Sequence, residues 1–267
     1  MEPRTIVITG ASSGIGAALS LNLGALGHRL IISSRRRDEL ETLARRSGPS
    51  VMPIVADVTR RPDVERLKDQ AIATFGRVDV WVNNAGRGIT KQALDLTDAD
   101  FDEMMAVNVK SALYGMQIIA PHFLERGMGH IINVSSFLSR VPLATYRSAY
   151  NAAKAALNAL TANVRMDLAA KNRNIHVTLV MPGLVSTDFA RNALGGLPTV
   201  PRSTALPPSQ TPEEVAAVIA GVIRNPVAEV YTNPHHSSVA QKYFADVGAF
   251  EREAANREAP VDGRDRR

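Results

Sequence analysis

The chain has 267 residues, 45% of them hydrophobic and 21% charged, with a net charge of +5 and no cysteine. Such composition is that of a globular protein; the missing cysteine excludes disulfides, thiol nucleophiles and cysteine-based zinc sites, and suits a reducing cytoplasmic location. The positive charge is scattered apart from Arg35-Arg36-Arg37, so no nucleic-acid partner is expected, and no apolar run is long enough for a membrane span.

Residues 5–9 (TIVIT) form a short β-branched run that reads as a buried strand. Residues 14–26 follow helical spacing and stop at Gly27. A second strand is expected over 30–33, a helix over 38–46, a third strand over 51–55 and a third helix over 62–75. The fourth strand is placed at 78–82, with Trp81 in the core. Thr97 caps one long helix reaching about residue 125, and 131–134 is the fifth strand. A helix running to about residue 171 carries Tyr150, and 176–180 is the sixth strand. Thr211 caps a helix ending near 224, and 227–231 is the seventh strand. Short apolar strands alternating with helices specify βαβ units and a parallel sheet covered on both faces. Residues 1–248 are read as one α/β domain. Within it, the Gly-, Pro- and Ser-rich stretch 188–210 is a substrate loop with Phe189, Leu194, Leu197, Val200 and Leu206 as its apolar members. Residues 249–267 are read as a polar, flexible tail.

The first strand runs into Thr9-Gly10-Ala11-Ser12-Ser13-Gly14-Ile15-Gly16. Glycines at this point permit a tight turn and close approach of a ligand. The helix that follows aims its free N–H groups at a pyrophosphate. The spacing is G-x-x-x-G-x-G rather than G-x-G-x-x-G. The second strand ends Ser33-Ser34-Arg35-Arg36, with no acidic residue to hold a ribose. A guanidinium there suits a 2′-phosphate, so NADP is favoured over NAD, with Arg35 as first choice and Arg36 as second.

Tyr150 and Lys154 stand four residues apart, on one face of a helix. A lysine cation beside a phenol favours the phenolate. Bringing a tyrosine down to working pH takes about 4 kcal/mol, which a closed site can supply and an exposed lysine cannot.

Together these stretches resemble the short-chain dehydrogenase/reductases. The match comprises Thr9-Gly10-x-x-x-Gly14-Ile15-Gly16, Asp57-Val58, Asn83-Asn84-Ala85-Gly86, Asn108, Ser135-Ser136, Tyr150-x-x-x-Lys154 and Pro182-Gly183-x-Val185-x-Thr187. The resemblance implies a doubly wound seven-stranded sheet of order 3-2-1-4-5-6-7. It implies that Gly10, Ser12, Ser13, Gly14, Ile15, Gly16, Ser34, Arg35 and Arg36 line the nucleotide. Asp57 and Val58 would flank the adenine, Asn84, Ala85 and Gly86 would pack against the adenosine half, and Pro182, Gly183, Val185 and Thr187 would lie near the nicotinamide.

In the mechanism this implies, NADPH gives hydride to a carbonyl carbon, Tyr150 protonates the alkoxide, and Ser136 orients the carbonyl oxygen. Lys154 holds the nicotinamide ribose and lowers the tyrosine pKa, and Asn108 binds a water of a proton relay. Ser136 and Tyr150 lie fourteen positions apart, one more than the family's common spacing. The extra residue is assigned to 137–146, with Ser135 or Ser139 as alternatives to Ser136. Ser13 stands where many NADP-preferring members carry a basic residue. Tyr146, one turn before Tyr150, either lines the substrate mouth or packs.

The six histidines are scattered and His235-His236 point apart, so no metal site is expected. The expected substrate is a small, apolar carbonyl or alcohol compound. The aliphatic faces of 103–120 and 152–168 imply a homodimer or homotetramer. The alternative function is a non-catalytic NADP(H)-binding sensor on the same fold; epimerisation or dehydration on this scaffold is a third reading.

Overall fold

Alternate residues of the first strand, β1 (Thr5–Thr9), serve two different cores. Ile6 and Ile8 point to one face of the sheet and Val7 to the other, all fully buried. Only a strand covered on both faces can be apolar throughout, which is why TIVIT lacks polar alternation. The structure, a computed structural model, describes residues 2–197 and 208–258. Val200 and Leu206 of the expected substrate loop, and the last stretch of the expected tail, lie outside the described residues.

The remaining strands are β2 (Arg29–Ser34), β3 (Val51–Val55), β4 (Val80–Asn83), β5 (Gly129–Val134), β6 (Ile175–Met181) and β7 (Glu229–Tyr231). They join in parallel in the order β3-β2-β1-β4-β5-β6-β7. The chain therefore leaves β1 in one direction for β2 and β3, then crosses back to β4 on the other side. The crevice at that reversal, outside the C-terminal strand ends, is where ligands bind in open α/β sheets.

Helices α1 (Gly14–Ala25), α2 (Arg37–Ser47) and α7 (Pro212–Arg224) cover one face. Helices α3 (Arg61–Phe75), α5 (Ser111–Arg126) and α6 (Ser148–Lys171) cover the other, around fully buried Trp81 and Phe123. Thr97 caps α4 (Asp98–Met105) and Thr211 caps α7, each in a reciprocal box with the acidic residue three positions on. Among the described residues, no helix is long and apolar enough to cross a membrane.

Two departures from the sequence reading matter for the site. The long helix expected from Thr97 to about residue 125 is interrupted by a π-helical turn, Ala106–Lys110, that separates α4 from α5 and contains Asn108. The chain also continues past β7 as α8 (His235–Ala245) and α9 (Val247–Glu258), so residues 249–258 are helical. Their sequence has weak periodicity. The helices are held by tertiary contact, through Val239, Ala240, Tyr243 and Phe250 packed with Phe137 and Val141.

Candidate active site

The turn after β1 is built for close approach. Gly10 (φ +66°) and Gly14 (φ +55°) adopt left-handed backbone that side-chain-bearing residues rarely take. A Cβ on Gly10 would come within 2.6 Å of Ala85 Cα, and one on Gly16 within 2.5 Å of the Gly10 carbonyl oxygen. Asn84 fixes the turn by donating to the Thr9 and Gly10 carbonyls at 3.0 and 3.1 Å. Thr9 Oγ1 accepts from the Asn84 and Ala85 amides. Helix α1 starts at Gly14 with Ser13 as an extended N-cap whose side chain makes no capping bond, and its first turn holds no acidic residue. Its free N–H groups and positive end suit an anion, and Ile15 packs into the core behind them.

Arg36, rather than the first-choice Arg35, reaches this turn. Its guanidinium donates to Ser12 Oγ at 2.8 Å and to Ser13 Oγ at 2.7 Å. Ser34 Oγ bonds both backbone groups of Arg36 and sets its direction. Arg35 is exposed and makes no hydrogen bond or ion pair with a described residue. A guanidinium on two serine hydroxyls, beside a helix N-terminus without acid, fits the phosphates of a dinucleotide. Asp57 turns its carboxylate back on Thr59, while its own amide donates to Asp63. Val58 packs on the core.

Across the crevice, the segment after β6 closes on the same turn. Thr187 Cγ2 would lie 3.2 Å from a Cβ on Gly14. Pro182 accepts from the Phe137 amide at 2.7 Å. Val185 pairs with Gln210, and a Cβ on Gly183 would come within 2.0 Å of the His236 ring.

Tyr150, Lys154 and Ser136 are all buried at the ends of β5 and α6. The Ser136 hydroxyl faces the Tyr150 phenol and favours its ionised form, while Ser136 Oγ also accepts from the Leu138 amide at 3.2 Å. Ser135 instead bonds Asn158 at 2.6 Å, and Ser139 accepts from Asn158 at 2.7 Å. Of the three serines, Ser136 is therefore the one whose hydroxyl is left to face the phenol; the 3₁₀ turn Phe137–Ser139 follows it directly. Lys154 Nζ donates to the Val134 carbonyl at 2.9 Å and lies 5.9 Å from the Tyr150 ring centre. Asn108 comes to the same place: a Cβ on Gly86 would lie 2.9 Å from Asn108 Oδ1 and 3.5 Å from Lys154 Nζ. Asn108 is held by backbone, accepting from the Arg87 amide and donating to the Arg87 and Met104 carbonyls. The π-helical turn gives the amide this reach.

Burial has the largest effect on both groups, pushing the phenol up to about 12 and the lysine down to about 7. What opposes burial at Tyr150 is the Ser136 hydroxyl and, after it, the charge of Arg147.

Sequence reasoning passed over Arg147, which looks like an ordinary helix start. The structure buries it at 7% exposure, with Nη1 donating to the Ile89 carbonyl at 2.9 Å and to Thr90 Oγ1 at 3.2 Å. Its guanidinium lies 5.4 Å from the Tyr146 ring centre. Only the long-range arrival of 89–90 reveals it. The same segment forms a small parallel ladder, with Ile89 bridged to Leu194 and Lys91 to Arg147. That ladder holds Phe189 edge-on to the Tyr150 ring at 5.5 Å. His236 was also missed; it stacks on Phe137 at 4.1 Å and borders Gly183. Among the described residues, no group of three His, Asp or Glu side chains could hold a metal ion.

Residues 4–195 match the model of a family described as short chain dehydrogenase. Among curated proteins, the "Uncharacterized oxidoreductase YxnA" of Bacillus subtilis (strain 168) is 32% identical over 247 residues, covering 90% of this chain and 68% of its own. An alcohol dehydrogenase from the archaeon Thermococcus sibiricus, solved with 5-hydroxy-NADP, superposes with a TM-score of 0.74 at 28% identity, over 86% of this chain and 96% of that one. A short chain dehydrogenase/reductase from Burkholderia phymatum, solved with NAD, has a TM-score of 0.83 at 24% identity, over 93% and 95% of the two chains, a likeness of fold.

Proposed function

The chain belongs to the short-chain dehydrogenases, a family of oxidoreductases, and from that premise we propose that it moves hydride between NADP(H) and a carbonyl or alcohol substrate, with Tyr150 as proton donor and acceptor. The observation that carries this reading is the convergence of buried Tyr150, Ser136, Lys154 and Asn108, with Asn108 and Lys154 meeting at Gly86 and its neighbour Ala85 packed on the glycine turn.

The bound nicotinamide supplies the hydride. The residues of this chain do the rest. Gly10, Ser12, Ser13, Gly14, Ile15 and Gly16 would take the pyrophosphate, and Arg36 the 2′-phosphate. Asp57, Val58, Asn84, Ala85 and Gly86 would border the adenosine half, and Pro182, Gly183, Val185 and Thr187 the nicotinamide end. Ser136 would donate to the substrate oxygen and Tyr150 would give it a proton as negative charge develops there. Lys154 would hold ribose hydroxyls, and Asn108, at the Lys154–Gly86 junction, would orient what restores the proton. NADP over NAD is favoured by Arg36 on Ser12 and Ser13 and by the lack of an acidic residue at the end of β2.

Phe189 and Leu194, beside Tyr150, favour an apolar carbonyl compound. Assembly as a homodimer or homotetramer through α5 and α6, and a cytoplasmic location, belong to the same reading; the exposed Met166 on α6 and the absence of cysteine support them.

The test is a screen of NADPH oxidation across ketones and aldehydes, and of NADP⁺ reduction across alcohols, with Tyr150→Phe alongside. Turnover lost in the Phe variant is the expected result. A chain that binds NADPH tightly but turns over none of these compounds is a nucleotide-binding sensor instead.

A further inference from the structure

Three cations lie where segment 87–91 meets the start of α6, and they differ in what neutralises them. Arg87 pairs with Glu103 of α4, and Lys91 pairs with Asp100 at 2.5 Å. Arg147 forms no ion pair with any described residue. Among the described residues, its guanidinium hydrogen-bonds through Nη1 alone, to one carbonyl and one hydroxyl, both uncharged. A buried guanidinium without an anion costs several kcal/mol to keep, and neutral acceptors recover part of that cost. Its field is therefore uncancelled by any described anion, and it sits at the N-cap of α6, three residues before Tyr150; a Cβ on Gly88 would lie 3.0 Å from its Nη1 and 2.8 Å from the Phe189 ring that packs edge-on to Tyr150.

We propose that Arg147 is a positioning residue of the acid/base site, its permanent charge stabilising the Tyr150 phenolate. The inference rests on Tyr150 being the proton-transfer group. Arginine keeps its charge at any working pH, whereas buried Lys154 does not hold its proton firmly. The groups facing Tyr150 leave Arg147 that task. From α6 come Lys154 and Arg147. Before α6 comes Tyr146, itself against Arg147. From beyond β5 comes neutral Ser136, with His236 of α8 behind Phe137 and kept neutral by burial. From segment 87–91 come the paired Arg87 and Lys91. From segment 188–191 come Asp188 and Arg191, paired with each other in solvent at 3.5 Å.

The test reads the phenol itself. Incorporating 3,5-difluorotyrosine at position 150 of the full chain lets fluorine NMR follow its ionisation without a substrate. Removing the charge in Arg147→Met should raise the midpoint by about one pH unit, a tenfold loss in ionisation constant. Arg147→Lys, which keeps the charge, should titrate with the parent. Thr90→Asp, which sets a carboxylate against the guanidinium, should raise the midpoint while Arg147 stays in place, and it decides alone if Arg147→Met does not fold. An unmoved midpoint in Arg147→Met or Thr90→Asp overturns the proposal. So does a lysine variant that shifts as far as methionine, because packing would then be the cause. None of these results touches the assignment of Tyr150, which stands or falls on turnover by Tyr150→Phe.

Discussion

At the end of β2 the cations stand in water; around Tyr150 they are buried. Arg35, Arg36 and Arg37 are exposed, and Arg36 is held by hydroxyls and a distant Glu39 at 4.0 Å. Arg147 and Lys154 are 7% and 3% exposed. An exposed charge is screened within about 10 Å at moderate salt and acts by reaching a ligand. A buried one keeps its field and acts on the protonation of its neighbours. In the proposed function, exposed arginines serve recognition in one half of the crevice, and a buried arginine and lysine serve proton chemistry in the other.

The largest effect that can break this comparison is at the buried end. Tyr150→Phe is expected to cut turnover by about 10²–10⁴-fold while NADPH affinity, measured by calorimetry, stays within about twofold. A variant that keeps the parent rate would leave the buried cations with no proton chemistry to serve. The next effect is at the exposed end. Arg36→Ala should weaken NADPH by about tenfold or more and NADH little, since a charge-assisted hydrogen bond contributes about 1.5–3 kcal/mol. Equal weakening of both nucleotides would mean that no phosphate is read there. Salt sharpens the contrast further. Rising ionic strength should erode the preference for NADPH yet leave the Tyr150 ionisation midpoint almost unmoved.

The smallest effect is on stability. Burial holds His236 down at about 4 and His130 at about 3, against 6.5 when unfolded. Both are therefore neutral in the folded chain. The unfolded chain takes up protons first, so the stability they contribute is complete above about pH 6.5 and falls as pH drops towards 4. Each histidine contributes at most about 1.4 kcal/mol per pH unit over that window. His236→Phe preserves the stack on Phe137 and deletes a ring whose Nδ1 has no hydrogen-bond partner. Its melting temperature should fall less between pH 6.5 and 4.5 than that of the parent; superimposable curves would remove His236 from the account.

Strands were readable because a strand covered on both faces is apolar throughout, and TIVIT needs no partner to declare itself. The glycine turn was readable because its backbone conformation is a property of glycine alone. Tyr150 and Lys154 share a helix face by spacing, and that too is local. What escaped depends on segments that meet only after folding. Arg36 rather than Arg35 lies on the turn because Ser34 directs it there, a matter of a few ångströms that spacing does not encode. The engagement of Ser135 and Ser139 by Asn158, which leaves Ser136 apart, is likewise invisible in the spacing. Helices α8 and α9 carry little periodicity because Phe137 and Val141, far away in sequence, complete their core.

The ladder joining Leu194 to Ile89, and Lys91 to Arg147, has a consequence for anyone redesigning this crevice. Residues 188–197 are not an interchangeable module. Their backbone is hydrogen-bonded to Gly88 and Thr90, and those neighbours in turn fix the start of the tyrosine helix. A chimera that imports only the later stretch from a relative inherits mismatched rungs, whereas one that also exchanges residues 87–91 and 146–147 carries the whole discontinuous unit intact.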